Sequence, residues 1–90
     1  MKSITTADFW DKFFRLPPSI QARAIIAYRK WRRNPQQRGL FFKQIKRGPP
    51  PVYSVRIGRG WRALGYRTDE NTIVWFWIGS HDEYDRLLSG

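Results

Sequence analysis

The chain has 90 residues, one histidine and no cysteine, and 17 Lys or Arg against 7 Asp or Glu give it a formal charge of +10. That length suits a single domain over residues 1–90 with a core that stands without staples, and the missing thiols exclude a disulfide framework and a Cys-rich metal centre. No apolar run approaches the roughly 18 residues of a membrane span and the opening MKSITTADFW has no signal-peptide pattern, so a soluble protein of the cytoplasm is expected, with neither membrane nor metal as a partner.

The charge is laid out unevenly. Every Lys and Arg except Lys2 and Arg86 falls within residues 12–68, an interval without one acid, while Asp8, Asp11, Asp69, Glu70, Asp82, Glu83 and Asp85 lie outside it. A field this one-sided suits a polyanion, nucleic acid foremost, and is compatible with an acidic protein partner.

In chain order, Thr5 is placed to cap a short helix whose stripe is Phe9, Trp10, Phe13 and Phe14, ended by Leu16-Pro17-Pro18. A second helix over residues 19–33 carries Ile20, Ala24, Ala27, Tyr28 and Trp31 on one face, and Asn34-Pro35 stops it. Its last-turn cations are also what the helix dipole favours, so they are not by themselves a binding patch. After the turn at residues 36–39, the run at 40–46 reads as a strand in which Leu40, Phe42 and Gln44 alternate with Phe41, Lys43 and Ile45. Residues 47–51, with three consecutive prolines, form a stiff loop.

The last third, YSVRIGRGWRALGYRTDENTIVWFWIGSHDEYDRLL, organises the rest. In residues 53–57 alternation places Tyr53, Val55 and Ile57 on one face and Ser54 and Arg56 on the other. A Gly58-Arg59-Gly60 turn leads into a strand bearing Trp61 and Arg62. Residues 72–78 are apolar on both faces, the mark of a central strand covered on both sides. Ser80 and Glu83 fit a capping box, followed at helical spacing by Tyr84, Leu87 and Leu88, so His81 falls in the first turn of a closing helix. The expected fold is α+β: two N-terminal helices packed on an antiparallel sheet of about four strands, then a short C-terminal helix. A strand end running into a helix start beside strand arginines is a place to hold a phosphate. Ser80-His81-Asp82 is not a triad, because consecutive helical side chains point about 100° apart.

The patterns FWDKFFRLPPSIQARAIIAYRKWRRNP, GLFFKQIK, PVYSVRIGRGWRALGY and IVWFWIGSHDEYDRLL together resemble the RelE/ParE superfamily, the toxins of bacterial type II toxin–antitoxin pairs. The likeness spans nearly the whole chain. It implies neutralisation by a cognate antitoxin and, for the RelE branch, a ribosome-dependent endonuclease that cuts mRNA through its 2′-hydroxyl without metal or other cofactor. The ParE branch instead inhibits DNA gyrase, and a degenerate toxin would keep only antitoxin binding.

By the same resemblance, Arg62 and Arg56 are the candidates for holding the scissile phosphate. His81 and Tyr84 are the candidates for proton transfer. Lys43 and Lys46 resemble the family's basic residues ahead of the hairpin; from the residues themselves, Arg47 and Arg59 are also expected to bind RNA, and Trp61, at the hairpin, is the candidate for stacking. Ser54 stands where the best-known RelE members carry a second lysine, and residues 2–5 are too few to be read as the family's first strand.

Overall fold

The computed structural model describes residues 1–89. In chain order it comprises β1 (Lys2–Thr5), α1 (Ala7–Phe14), α2 (Pro18–Arg33), β2 (Lys43–Lys46), β3 (Val52–Arg56), β4 (Trp61–Asp69), β5 (Thr72–Ser80) and α3 (His81–Ser89). The strands form one 5-stranded sheet in the order β1-β5-β4-β3-β2. This α+β arrangement agrees with the sequence reading except at the N-terminus, where a strand precedes the first helix.

Strand β1 pairs parallel to β5, so the sheet is mixed and not purely antiparallel. Its four residues carry almost no strand pattern of their own. What holds them is β5: Lys2 N–H donates to Asn71 O at 2.6 Å, Thr6 N–H to Trp75 O at 3.0 Å, and the Trp75 indole to Ser3 Oγ at 3.1 Å. Because Thr5 belongs to that strand, the cap of α1 moves one residue on, and Thr6 Oγ1 accepts from Phe9 N–H at 3.1 Å.

On one face of the sheet α1 and α2 bury Phe9, Phe13, Ile20, Ala24, Ala27 and Trp31 against Val55, Ile57, Ala63, Ile73, Trp75 and Ile78. Tyr28, expected on that face, stays at its exposed margin. The opposite face carries a smaller cluster of Leu64, Trp77 and Tyr84, so α3 closes the sheet there and β5 is covered on both sides as expected. Leu87 and Leu88 share helical spacing with Tyr84 yet are exposed, because α3 runs past the sheet after its first turns. The start of α3 is a complete capping box: Glu83 N–H donates to Ser80 Oγ at 3.2 Å, and Ser80 N–H to Glu83 Oε1 at 3.2 Å.

Two irregularities set the side-chain directions. In β5 the ladder pairs Leu64 with Trp77 and Gly65 with Trp75, leaving Phe76 as an extra residue. That bulge turns Trp75 and Ile78 toward the helices while Trp77 points to α3. Strand β2 begins at Lys43, not at Leu40, because Phe41 adopts φ 48, which no extended ladder accommodates.

Gly65 faces the helices, and a Cβ built there would stand 2.6 Å from Ile73 Cγ2 and 2.8 Å from Trp75 Cε3. Neither neighbour can retreat within the core. Gly65→Ala is therefore expected to lower stability by about 1–3 kcal/mol through overpacking, read as a lower denaturant midpoint at unchanged slope.

Candidate functional site

The sheet face turned toward α3 carries Arg56, Arg62, Lys43 and Lys46, whereas Arg67 of β4 stacks on Tyr53 on the helical side. Val55 and Ile57 point to the helical core, so Arg56 points away from it, and the β3–β4 register sets Arg56 directly opposite Arg62. One row along, the same register places Ser54 opposite Leu64, and β2 brings Lys43 opposite Ser54. Ser54 is 0% exposed, so an exposed Lys43 overhangs the position where no longer side chain emerges from β3.

The end of this face is closed by two turns meeting. The hairpin turn at residues 58–60 relies on positive φ at Gly58 and Gly60, and Gly60 O accepts His81 N–H at 2.7 Å. This bond ties the Arg59-bearing turn to the start of α3. Gly79, opposite Arg62 in the ladder, leaves room for the Trp77 ring, which a Cβ there would meet at 2.7 Å.

Arg62 lies beneath Tyr84, its Cζ 5.2 Å from the ring centroid, and Tyr84 is buried. Arg62 Nε and Nη1 are themselves buried and have no hydrogen-bond partner among the described residues. An unsatisfied buried donor costs about 1–3 kcal/mol, more for a charged group. Residues 12–68 contain no acid, and of the acids on α3, Glu83 bonds to Ser80 and Asp85 to His81. A guanidinium with open donors can accept an oxyanion as their partner.

His81 stands beside this pair, with its ring centroid 5.8 Å from that of Tyr84. Its Nδ1 lies 3.1 Å from Asp85 Oδ2, one helical turn on. An imidazole that donates Nδ1–H to Asp85 keeps Nε2 available for proton exchange, with its ring oriented by the carboxylate. The partner of His81 is thus Asp85 and neither of its chain neighbours. Sequence reading passed it over, although an acid four residues after a helical histidine is the available signal.

Of the sequence-derived candidates, Arg62, Tyr84 and His81 form a chain of neighbours; Arg56 is opposite Arg62 in the ladder with its guanidinium turned to Phe41 and Gly58, Arg59 is on the adjoining turn and Lys43 is one row away. Lys46 shares the face but pairs with Val52, roughly 13 Å from the Arg56 row at about 3.3 Å per residue. Arg47 is exposed in the loop beyond it. Trp61 points the other way and packs against the helical core, so it does not face this site. Among the described residues, no three His, Cys, Asp or Glu side chains converge as metal ligands would. No helix is long and apolar enough to cross a membrane.

If Arg62 is held for function against its own desolvation, Arg62→Met should be neutral or stabilising by about 1 kcal/mol, since an apolar chain of similar reach leaves no charge unmet. Thermal and denaturant unfolding check this. A loss above about 1 kcal/mol would mark Arg62 as a structural residue.

The family model of the ParE-like toxin domain matches residues 18–86. No curated protein matches the chain. Among solved structures, the RelBE2 toxin–antitoxin complex of Mycobacterium tuberculosis is similar at 24% identity and TM-score 0.68, over 89% of this chain and 96% of that one. The RelB–RelE antitoxin–toxin complex of Methanococcus jannaschii gives 18% identity and TM-score 0.70, over 92% and 96%. The YoeB/ParE toxin of Agrobacterium tumefaciens gives 19% identity and TM-score 0.67, over 90% and 99%. With a family match that takes in both ends of the Arg62 site and a fold shared across these toxins, the chain belongs to the ParE-like toxin domain family of the RelE/ParE superfamily.

Proposed function

We propose that this protein is the toxin of a toxin–antitoxin pair and acts in the cytoplasm as a RelE-like endoribonuclease on mRNA in the ribosome. The observation that carries the reading is Arg62, whose Nε and Nη1 are buried without a hydrogen-bond partner among the described residues, under a Tyr84 ring that in turn neighbours His81. Arg62 and Arg56 take the non-bridging oxygens of one phosphodiester, and Lys43 adds a third cation where Ser54 is buried. The RNA 2′-oxygen then bonds to the adjacent phosphorus as the bond to the 5′-oxygen breaks. This leaves a 2′,3′-cyclic phosphate and a 5′-hydroxyl. His81 Nε2, oriented through Asp85, is the group placed to take the 2′-hydroxyl proton or to give one to the leaving oxygen; the Tyr84 hydroxyl is the alternative donor. The dense negative charge of the transition state is what the arginines stabilise.

On programmed ribosomes, Arg62→Ala is expected to slow mRNA cutting by about 10²–10³-fold, and His81→Ala by about 10²-fold. Undiminished cutting by both variants, mapped at RNA 5′ ends, would remove this assignment. The ParE-like description of the family favours a second reading, inhibition of DNA gyrase. In that case mRNA stays intact on induction while supercoiling fails. A product harmless to growth would instead leave a degenerate toxin that only binds its antitoxin.

The antitoxin is expected as a small protein encoded beside this one, with an apolar and acidic segment. A cleft of about 300 Å³ opens between α1, α2 and the sheet, bordered by exposed Trp10, Ile25 and Tyr28. Phe14 is 69% exposed next to it. The exposed cations Arg29, Arg32 and Arg33 on α2 would meet the acids of such a segment. Ile25→Asp is expected to weaken antitoxin binding by about tenfold or more while leaving RNA cutting unchanged, as calorimetry on the purified pair would measure.

A further inference from the structure

We infer that Phe41 is a stacking platform for an unpaired base of single-stranded RNA, next to the phosphate held by Arg56 and Arg62. The inference rests on the reading of that site as one for an RNA phosphodiester, and it adds a base-binding subsite to it. Phe41 is the one non-glycine residue with positive φ among the described residues. A bulky side chain at φ 48 is strained, and a glycine would sit there at ease, so the backbone gains nothing from the ring. The core gains nothing either. Leu40 is buried and Phe42 packs against the helical cluster, while Phe41 between them is 57% exposed.

What the ring does contact is the site. Arg56 Cζ lies 5.3 Å from its centroid, and Arg56 Nε is steered by a bond to Gly58 O at 3.3 Å. The Leu40 carbonyl accepts Arg56 N–H at 2.7 Å, which fixes the Phe41 backbone alongside β3. The guanidinium covers part of the ring and leaves the rest in solvent. A guanidinium that touches both a phosphate and an aromatic platform is a common way to hold one nucleotide by its backbone and its base together. An apolar anchor for a protein is the competing use of an exposed phenylalanine. Charge favours the nucleotide, since Phe41 is surrounded in sequence by Arg38, Lys43, Lys46 and Arg47 and by no acid.

The test uses the full chain with Phe41→Gly, which relieves the backbone strain and stays folded, Phe41→Trp, and Arg62→Ala. The probes are a fluorescein-labelled adenylate hexamer, the same hexamer with one abasic ribose, and a version carrying 2-aminopurine. Phe41→Gly should bind the intact hexamer about tenfold more weakly and abolish the 2-aminopurine quenching, with binding of the abasic hexamer unaffected. Phe41→Trp should retain both affinity and quenching. Should the wild type retain no free hexamer, the same comparison is read from cutting of ribosome-bound mRNA with and without the abasic residue. Equal behaviour of wild type and Phe41→Gly overturns the inference, as does an equal loss on intact and abasic RNA, or a loss of antitoxin binding alone. If Arg62→Ala loses RNA and Phe41→Gly does not, only the base platform falls. If Arg62→Ala behaves as wild type, or the wild type neither binds nor cuts RNA, the phosphate reading falls with it.

Discussion

Strand β5 has apolar side chains on both of its faces, and that single constraint arranges the rest of the molecule. A sheet built around it cannot leave either side in water. The α1–α2 pair fills one side with Trp31, Phe9 and Phe13. The other side needs its own cover, and α3 supplies it by driving Tyr84 onto Leu64 and Trp77. The bulge at Phe76 makes this division possible, because it sends Trp75 and Trp77 to opposite layers within one strand. Covering Trp77 with α3 also covers the neighbouring Arg62. The partly desolvated guanidinium is thus a by-product of closing the hydrophobic sheet, and the two cores carry its cost.

That cost has a second component. Arg56 and Arg62 are directly opposite on adjacent strands, and like charges at such positions destabilise a sheet. Stacking on Phe41 and on Tyr84 returns part of it, since cation–π contacts contribute about 0.5–2 kcal/mol depending on desolvation. Arginine tolerates the arrangement better than lysine would, being more weakly hydrated and unable to lose its proton. One bound phosphate would offset both the repulsion and the unmet donors. On the covering helix, Glu83 is already engaged with Ser80 and Asp85 with His81.

Much of this was legible in the sequence where a local rule and the tertiary fold agree. The α2 face, the two-sided β5, the capping box and the outward direction of Arg56 all follow from period and capping alone. The four residues of β1 were not legible, because their strand character comes from β5 and not from themselves. Trp61 was assigned by its chemistry as a stacking residue, but strand alternation from Arg62 already places it on the helical side. Asp85 was obscured by attention to the chain neighbours of His81. Phe41 was read as a strand residue sharing a face with Lys43 and Ile45, and nothing local announced that its backbone would leave the extended region. Leu87 and Leu88 show the limit of helical spacing: periodicity gives a face, while the length of the partner surface decides how much of it is buried.

On the proposed nuclease reading, the division of labour between elements follows from what each task tolerates. Holding a phosphate in a transition state needs donors fixed to within a fraction of an ångström, and Arg56 and Arg62 stand on paired strands in the middle of the sheet order. Moving a proton needs a group that can meet two oxygens in turn. His81 stands at the first residue of a helix, held at its backbone by Gly60 and at its ring by Asp85 alone. Its start is fixed by the capping box, while its exposed outer turns add little to the grip. The same helix therefore keeps Arg62 out of water through Tyr84 and presents an imidazole with some freedom at the rim. Neither task would be served if Tyr84 were replaced by a residue too small to reach the sheet, since the guanidinium would regain water and the ring beside His81 would be gone.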